Sequence, residues 1–175
     1  MTAYSLYDAS VGVAKDVLGS LSAIVAKAEA SPVAASIPAA RIHEDMLPFT
    51  FQVFFVTQTV HKMVARLTGA VPKEYENNLE TFDAMKARIA EVESQLAAVG
   101  RDAVEGRDNT IVPVGLGPNK PEAKLESWQY VHGYIVPNIF FHLSTAYNIA
   151  RKEGVELGKM VYLAPFIGKF LEAQK

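Results

Sequence analysis

The sequence contains no cysteine. That absence excludes disulfides, thiolate nucleophiles and cysteine-ligated zinc or iron-sulfur centres, and it makes a cytoplasmic address the expectation. Charge of one sign is also lacking: 17 basic residues stand against 19 acidic ones, a formal net charge of -2, and the two signs are mixed along the chain. With no basic stripe to neutralise a phosphate backbone, nucleic acid is not an expected partner. Long hydrophobic runs are missing too. The most apolar stretch, Phe49 to Val60, is interrupted by Gln52 and Gln58 and followed by His61 and Lys62. It falls short of the roughly 20 apolar residues a bilayer span requires, so no membrane is expected. The first residues show no basic region, apolar run and small-residue cleavage site, which speaks against a secretory leader. No glycine-rich phosphate loop is present, because Gly115, Gly117 and the prolines near them match no such spacing. Nor does any nucleophile stand beside a base.

What is there is the composition of one folded domain, residues 1-175, with 50% hydrophobic and 21% charged residues. Four amphipathic segments carry helical periodicity. From Asp8 to about Ala30, Ala14, Leu18, Leu21, Val25 and Ala28 recur three and four apart, with Asp8 or Ser10 as the expected cap and Ser31-Pro32 as the stop. A second helix is expected from near Leu47 to Thr68, ending at Gly69, along a seam of Phe49, Val53, Val56, Val60 and Leu67. Phe51, Phe54 and Phe55 cover its other faces, so burial on several sides is expected. The third helix follows Phe82, Met85, Ile89, Val92, Leu96 and Val99; Asn77 with Glu80 has the spacing of a capping box, and Gly100 supplies a stop.

Between Arg101 and Val131 the helical period disappears. Asn109 to Val114 and Leu125 to Val131 are β-prone runs separated by Gly115 and Gly117, which predicts a small hairpin or ordered loop. The fourth helix is expected from near Pro137 to Gly154, with a shorter segment, Met160 to Leu171, packed across the bundle.

Polar residues on apolar helix faces are the candidates for function, because burying an imidazole or amide without a partner costs roughly 1 to 3 kcal/mol. His142 shares a face with Ile135, Leu143, Ala146 and Ile149 and lies four residues after Asn138. It is read either as a core histidine bonded to Asn138, Tyr130 or a backbone carbonyl, or as a pocket base or metal ligand. On the second helix Gln58 and His61 are three apart and share a stripe with Phe54 and Phe51; Gln52 lies earlier on the same helix. His43, Glu44 and Asp45 form an acidic and imidazole cluster, but a helix continued from there separates His43 and His61 by roughly 27 Å, too far for one metal. Asp45 is read first as a helix cap. His132, beside Trp128, Tyr130 and Tyr134, has the place of a residue at a pocket mouth, though an aromatic group of this kind is more often packing.

Tyr7-Asp8-Ala9-Ser10-Val11, Glu44-Asp45-Met46-Leu47-Pro48 with Gln52-Val53, and above all Pro137-Asn138-Ile139-Phe140-Phe141-His142 with Ala146-Tyr147, Arg151, Gly154-Val155 and Gly158-Lys159 resemble the DUF1993 family. That family looks like a branch of the DinB/YfiT-like bundles, whose better-known members are metalloenzymes or thiol-dependent transferases with a three-histidine metal site. The resemblance implies a mostly α, DinB-like four-helix bundle with a pocket between helices, and it raises a metal. The departure is that Asn138 and His142 stand where such relatives place two histidines, with His61 in the place of the histidine on helix two. Two histidines and an amide make a poor transition-metal site, so no metal ligand is assigned and the cofactor stays unknown.

Two functions of different class follow. One is a small-molecule pocket lined by His142, Asn138, Gln52, His61 and Tyr147, with His142 as the catalytic acid or base if the protein is an enzyme. The other is a non-catalytic interaction protein whose apolar helices bury against a second copy in a homodimer.

Overall fold

In the computed structural model, which describes residues 5-115, 117 and 119-173, the elements run α1 (Val13–Glu29), α2 (Phe49–Thr68), α3 (Phe82–Ala97), β1 (Ile111–Val114), β2 (Ala123–Glu126), α4 (Ser127–Tyr130), α5 (Val136–Lys152) and α6 (Lys159–Glu172). The fold is the mostly helical bundle expected, with one two-stranded hairpin between α3 and α4.

The expected seam of α1, Ala14, Leu18, Leu21, Val25 and Ala28, is fully buried, and Val17 and Ile24 are fully buried beside it. A helix apolar on so many sides has to be surrounded. It packs against α3, α5 and α6, with α2 nearby. The continuous segment Asp8–Glu29 has a mean hydropathy of 1.4 in its most apolar window and is the one helix among the described residues long and apolar enough to cross a membrane. It is longer than the Phe49 to Val60 stretch, and its hydropathy is that of the side chains packed into the bundle core.

Neither expected cap starts this helix. Ser5 does: its hydroxyl accepts from the Asp8 amide at 3.4 Å while the Asp8 carboxylate accepts from the Ser5 amide at 3.4 Å, a reciprocal cap three residues wide. A π-helical turn, Asp8–Gly12, then leads into α1. Helix α2 starts at Phe49 behind Pro48, so Asp45 is not its cap; its carboxylate accepts from His43 Nδ1 at 2.6 Å instead. At the other end Gly69 adopts φ 82°, the left-handed stop expected of it. The cap of α3 is Thr81, whose hydroxyl accepts from the Ala84 amide at 3.2 Å, four residues after the Asn77 proposed from sequence. Gly100 lies beyond the end of α3 with φ -71° and ψ 153°; a Cβ there would run into the Asp102 carboxylate.

In the hairpin β1 pairs antiparallel with β2, Val112 opposite Leu125 and Val114 opposite Ala123. The second strand ends at Glu126, because Glu126 and Gln129 form a capping box that starts a helix there. Helical conformation therefore begins at Ser127, ten residues before Pro137, and runs through a π-helical turn, Val131–Ile135, into α5. Pro137 brings no amide hydrogen and stands in the first turn of α5, immediately after the π turn.

Arg101 ties the helix start to the segment after α3. Its guanidinium donates to Asp8 at 2.6 and 3.0 Å, to Ser5 Oγ at 2.9 Å and to Glu105 at 2.9 Å, and it lies 4.6 Å from the Tyr7 ring centroid. Bonded so, the Asp8 carboxyl is held at about 2, against an ordinary 3.8. A carboxyl that binds its proton more weakly folded than unfolded contributes stability above the unfolded value and loses it as the pH falls. Urea unfolding is expected to show a loss of stability between pH 3.8 and about 2 that is reduced in Asp8→Asn; equal slopes in the two proteins would contradict this.

Candidate functional site

Helix α2 and the α4 to α5 segment run antiparallel: Gln52 bonds to His142 near the start of α2, and Arg66 bonds to Tyr130 near its end. The first of these bonds determines the chemistry of His142. Gln52 is 2% exposed, and its amide nitrogen donates to the carbonyls of Leu47 at 2.8 Å and Pro48 at 3.3 Å. Turning the amide over would set its oxygen against two carbonyl oxygens. Its oxygen therefore faces His142, at 2.7 Å from Nδ1, and only a protonated Nδ1 can donate to it. The imidazole is the Nδ1-H tautomer, with the lone pair on Nε2.

Three phenylalanines surround this ring, with centroids at 4.1 Å for Phe55, 5.1 Å for Phe141 and 6.1 Å for Phe51. The apolar surroundings disfavour the imidazolium, and burial lowers the His142 pKa from 6.5 to about 4. Nε2 has no hydrogen-bond partner among the described residues, yet it is not one of the fully enclosed unpartnered atoms. It reaches the surface through the aromatic collar, where Phe141 is 58% exposed.

The other residues expected beside His142 lie elsewhere. Asn138 donates to the Tyr134 carbonyl at 2.7 Å rather than to His142, and Tyr147 donates to the Leu157 carbonyl at 3.2 Å. His61 lies nine residues beyond Gln52, about 13 Å along the helix. Its Nε2 accepts from the Lys73 amide at 3.1 Å and its Nδ1 donates to Gln95 at 2.7 Å. Gln58 faces the same loop, accepting from the Tyr75 amide at 2.9 Å and donating to Glu74 at 2.9 Å. His132 is exposed, and Trp128 donates to Glu126 at 2.6 Å on the surface. Of the five residues expected to line one pocket, the structure brings Gln52 and His142 together and places Asn138, His61 and Tyr147 in separate networks.

These residues do not fit the metal centre that the resemblance raises. Both ring nitrogens of His61 are engaged within the protein, the Asn138 amide serves a helix carbonyl, and among the described residues no three His, Cys, Asp or Glu side chains are grouped to hold an ion.

A feature that the sequence reading missed lies further along the same seam. Phe55, Thr59, Lys62 and Arg66, spaced four, three and four on one face of α2, line a cleft of about 290 Å³ with Gln58, Glu74, Gly115, Glu122, Tyr130 and Tyr134. The signal was present in that spacing and in the pair Tyr130 and Tyr134, four apart.

The shift at His142 predicts a second pH dependence. Protons bind the unfolded imidazole near 6.5 and the folded one only near 4, so stability is full above pH 6.5 and falls as the pH drops toward 4. The loss is on the order of 3 kcal/mol. It should be seen in urea unfolding of the native protein and be absent in His142→Gln; a native protein whose stability is flat over that window would contradict the burial argument.

Comparison with known proteins agrees with the fold. A crystal structure of a DinB family member from Shewanella denitrificans is similar, with a TM-score of 0.79 at 28% identity over 90% of this chain and 91% of that one. No curated protein matches. Residues 6–163 match the DUF1993 domain of unknown function. With nearly the whole bundle inside that match, the chain belongs to the DUF1993 family, on a DinB-like fold.

Proposed function

We propose that this domain binds a small molecule at the seam of α2 and α5, where His142 accepts a hydrogen bond through Nε2. The observation that carries the reading is the Gln52 to His142 bond, which leaves a neutral imidazole with one outward lone pair inside a collar of Phe51, Phe55 and Phe141. With the pKa at about 4, loading a proton onto this ring at pH 7 costs about 4 kcal/mol. An effective general base has its pKa near the working pH. His142 is therefore suited to holding a ligand rather than to accepting its proton, and the catalytic role drawn from sequence becomes a binding role. The matching ligand has an apolar body and one O-H or N-H donor. A cytoplasmic location belongs to the same proposal and rests on the cysteine-free composition.

Phenol and anisole test the reading, since they share a body and differ in the donor. Phenol is expected to shift the His142 and Phe141 resonances with an affinity about tenfold above that of anisole, the worth of one hydrogen bond. Equal affinities, or no shift at either residue, would contradict it.

The homodimer is the second reading, and α6 is the observation that favours it. No residue of α6 is buried. Val161, Tyr162 and Phe166 pack inward on the core, while Met160, Ile167 and Leu171 are 57%, 36% and 49% exposed on the opposite side; Phe170, one turn after Phe166, is 60% exposed and lines a cleft with Val13 and Asp16 of α1. Ala164 joins that outer face to a groove of about 560 Å³ lined by Ala23 and Ala26 of α1 and by Ala30 just past its end. A helix apolar on both faces asks for cover on both. Sedimentation is expected to give a dimer that Ile167→Glu with Leu171→Glu converts to monomer; a monomer mass independent of concentration would remove this reading.

A further inference from the structure

The cleft at the far end of the seam differs from the His142 collar in chemistry. Its floor is aromatic: Tyr130 is fully buried and lies nearly parallel to Tyr134, centroids 6.0 Å apart. Above it is Arg66, half-buried, whose Nη1 donates to the Tyr130 hydroxyl at 3.0 Å and whose guanidinium carbon is 5.5 Å from the Tyr130 centroid. No carboxylate among the described residues lies within 4.0 Å of that guanidinium, whereas Lys62, one turn earlier, is neutralised by Glu74 at 2.7 Å. A guanidinium has five donors, and the hydroxyl of Tyr130 takes one of them. The others have no protein acceptor among the described residues, and Arg66 lines the cleft.

Thr59 supplies the second, independent observation. Three threonines are buried, and the hydroxyls of two of them donate to the carbonyl one turn back, Thr57 to Val53 at 2.9 Å and Thr145 to Phe141 at 2.7 Å. Thr59 is 6% exposed and its hydroxyl makes no hydrogen bond among the described residues. It is not one of the fully enclosed unpartnered atoms and the residue lines the cleft, so the hydroxyl opens into that space. A ligand atom in the cleft can accept from it without displacing any hydrogen bond of the protein.

We infer that the cleft is a binding site for a small carboxylate. The carboxylate seats on the Arg66 fork, which matches its two oxygens, and one oxygen accepts from Thr59 Oγ1. The body of the ligand lies on Phe55 and Tyr134, with the buried Tyr130 behind them, and a volume of about 290 Å³ sets its size at that of a single amino acid. Glu122 also lines the cleft and forms no ion pair among the described residues, and it favours a carboxylate that also carries an ammonium group. The ligand class is thus a small zwitterion with an aromatic or apolar side group, recognised at its two charges.

Three compounds of one size separate the contributions: L-phenylalanine, 3-phenylpropionate without the amine, and L-phenylalaninamide without the carboxylate. In NMR titrations of the full chain, L-phenylalanine is expected to shift Thr59, Arg66 and Tyr130, with 3-phenylpropionate several-fold weaker and the amide at least tenfold weaker. Arg66→Gln is expected to lower the affinity for L-phenylalanine at least tenfold. Since Arg66 also bonds Tyr130, the companion variant is Thr59→Val, which removes a hydroxyl unbonded within the protein, is expected to fold at undiminished stability, and should weaken binding about fivefold. No binding by L-phenylalanine, equal binding of acid and amide, or unchanged affinity in both variants would each overturn the assignment. Shifts confined to His142 and Phe141 would overturn it as well while leaving the collar reading intact.

Discussion

Gln52 has two backbone carbonyls to satisfy at the start of α2, and once its amide nitrogen has done so its oxygen can face only His142. That single orientation links the start of α2 to the middle of α5. It fixes the imidazole tautomer and directs the remaining lone pair outward. The phenylalanines around the ring reinforce the outcome from a different direction, because an apolar collar opposes the charged form while leaving the neutral acceptor in place. A carboxylate in place of Gln52 would give the reverse, an imidazolium, and with it a different site.

The same helix serves three environments because its faces are occupied by different partners. Its apolar seam, Phe49, Val53, Val56 and Val60, is closed into the core. The stripe through Gln58 and His61 holds the loop that follows α2, through the amides of Tyr75 and Lys73. The stripe through Phe55, Thr59 and Arg66 is left open as one wall of a cleft. Phe55 belongs both to that wall and to the collar around His142, so the two polar ends of the seam are joined by one aromatic ring.

The bundle was legible in the sequence because burial follows a 3.6-residue period regardless of which neighbour does the burying: every residue of the α1 seam is enclosed, as are Met85, Ile89, Val92 and Leu96 of α3. Helix starts were harder. Ser5, Thr81 and Glu126 cap helices through bonds to residues three further on, but Asn77 with Glu80 has an equally good pattern, and only the path of the chain chooses between them. The β-prone run Leu125 to Val131 was split by that choice, its first two residues completing a strand and the rest turning helical.

The candidate site was less legible, for a geometric reason. Periodicity shows which residues share a face of one helix, as Asn138 and His142 do, but not which residue on another helix meets them. Asn138 turned to a carbonyl of its own helix, and the partner of His142 came from 90 residues away. His61 was drawn into a structural network by a loop with no helical pattern to announce it. The cleft was overlooked because its chief residues, Arg66 and Thr59, look unremarkable one at a time; what distinguishes them is that, among the described residues, the first forms no ion pair and the hydroxyl of the second makes no hydrogen bond.

Long-range proton-nitrogen correlation spectra of the imidazole rings test the central claim most directly. At pH 7 His142 is expected to be neutral, with the hydrogen on Nδ1 and a bare Nε2. A ring protonated at Nε2, or at both nitrogens, would contradict it.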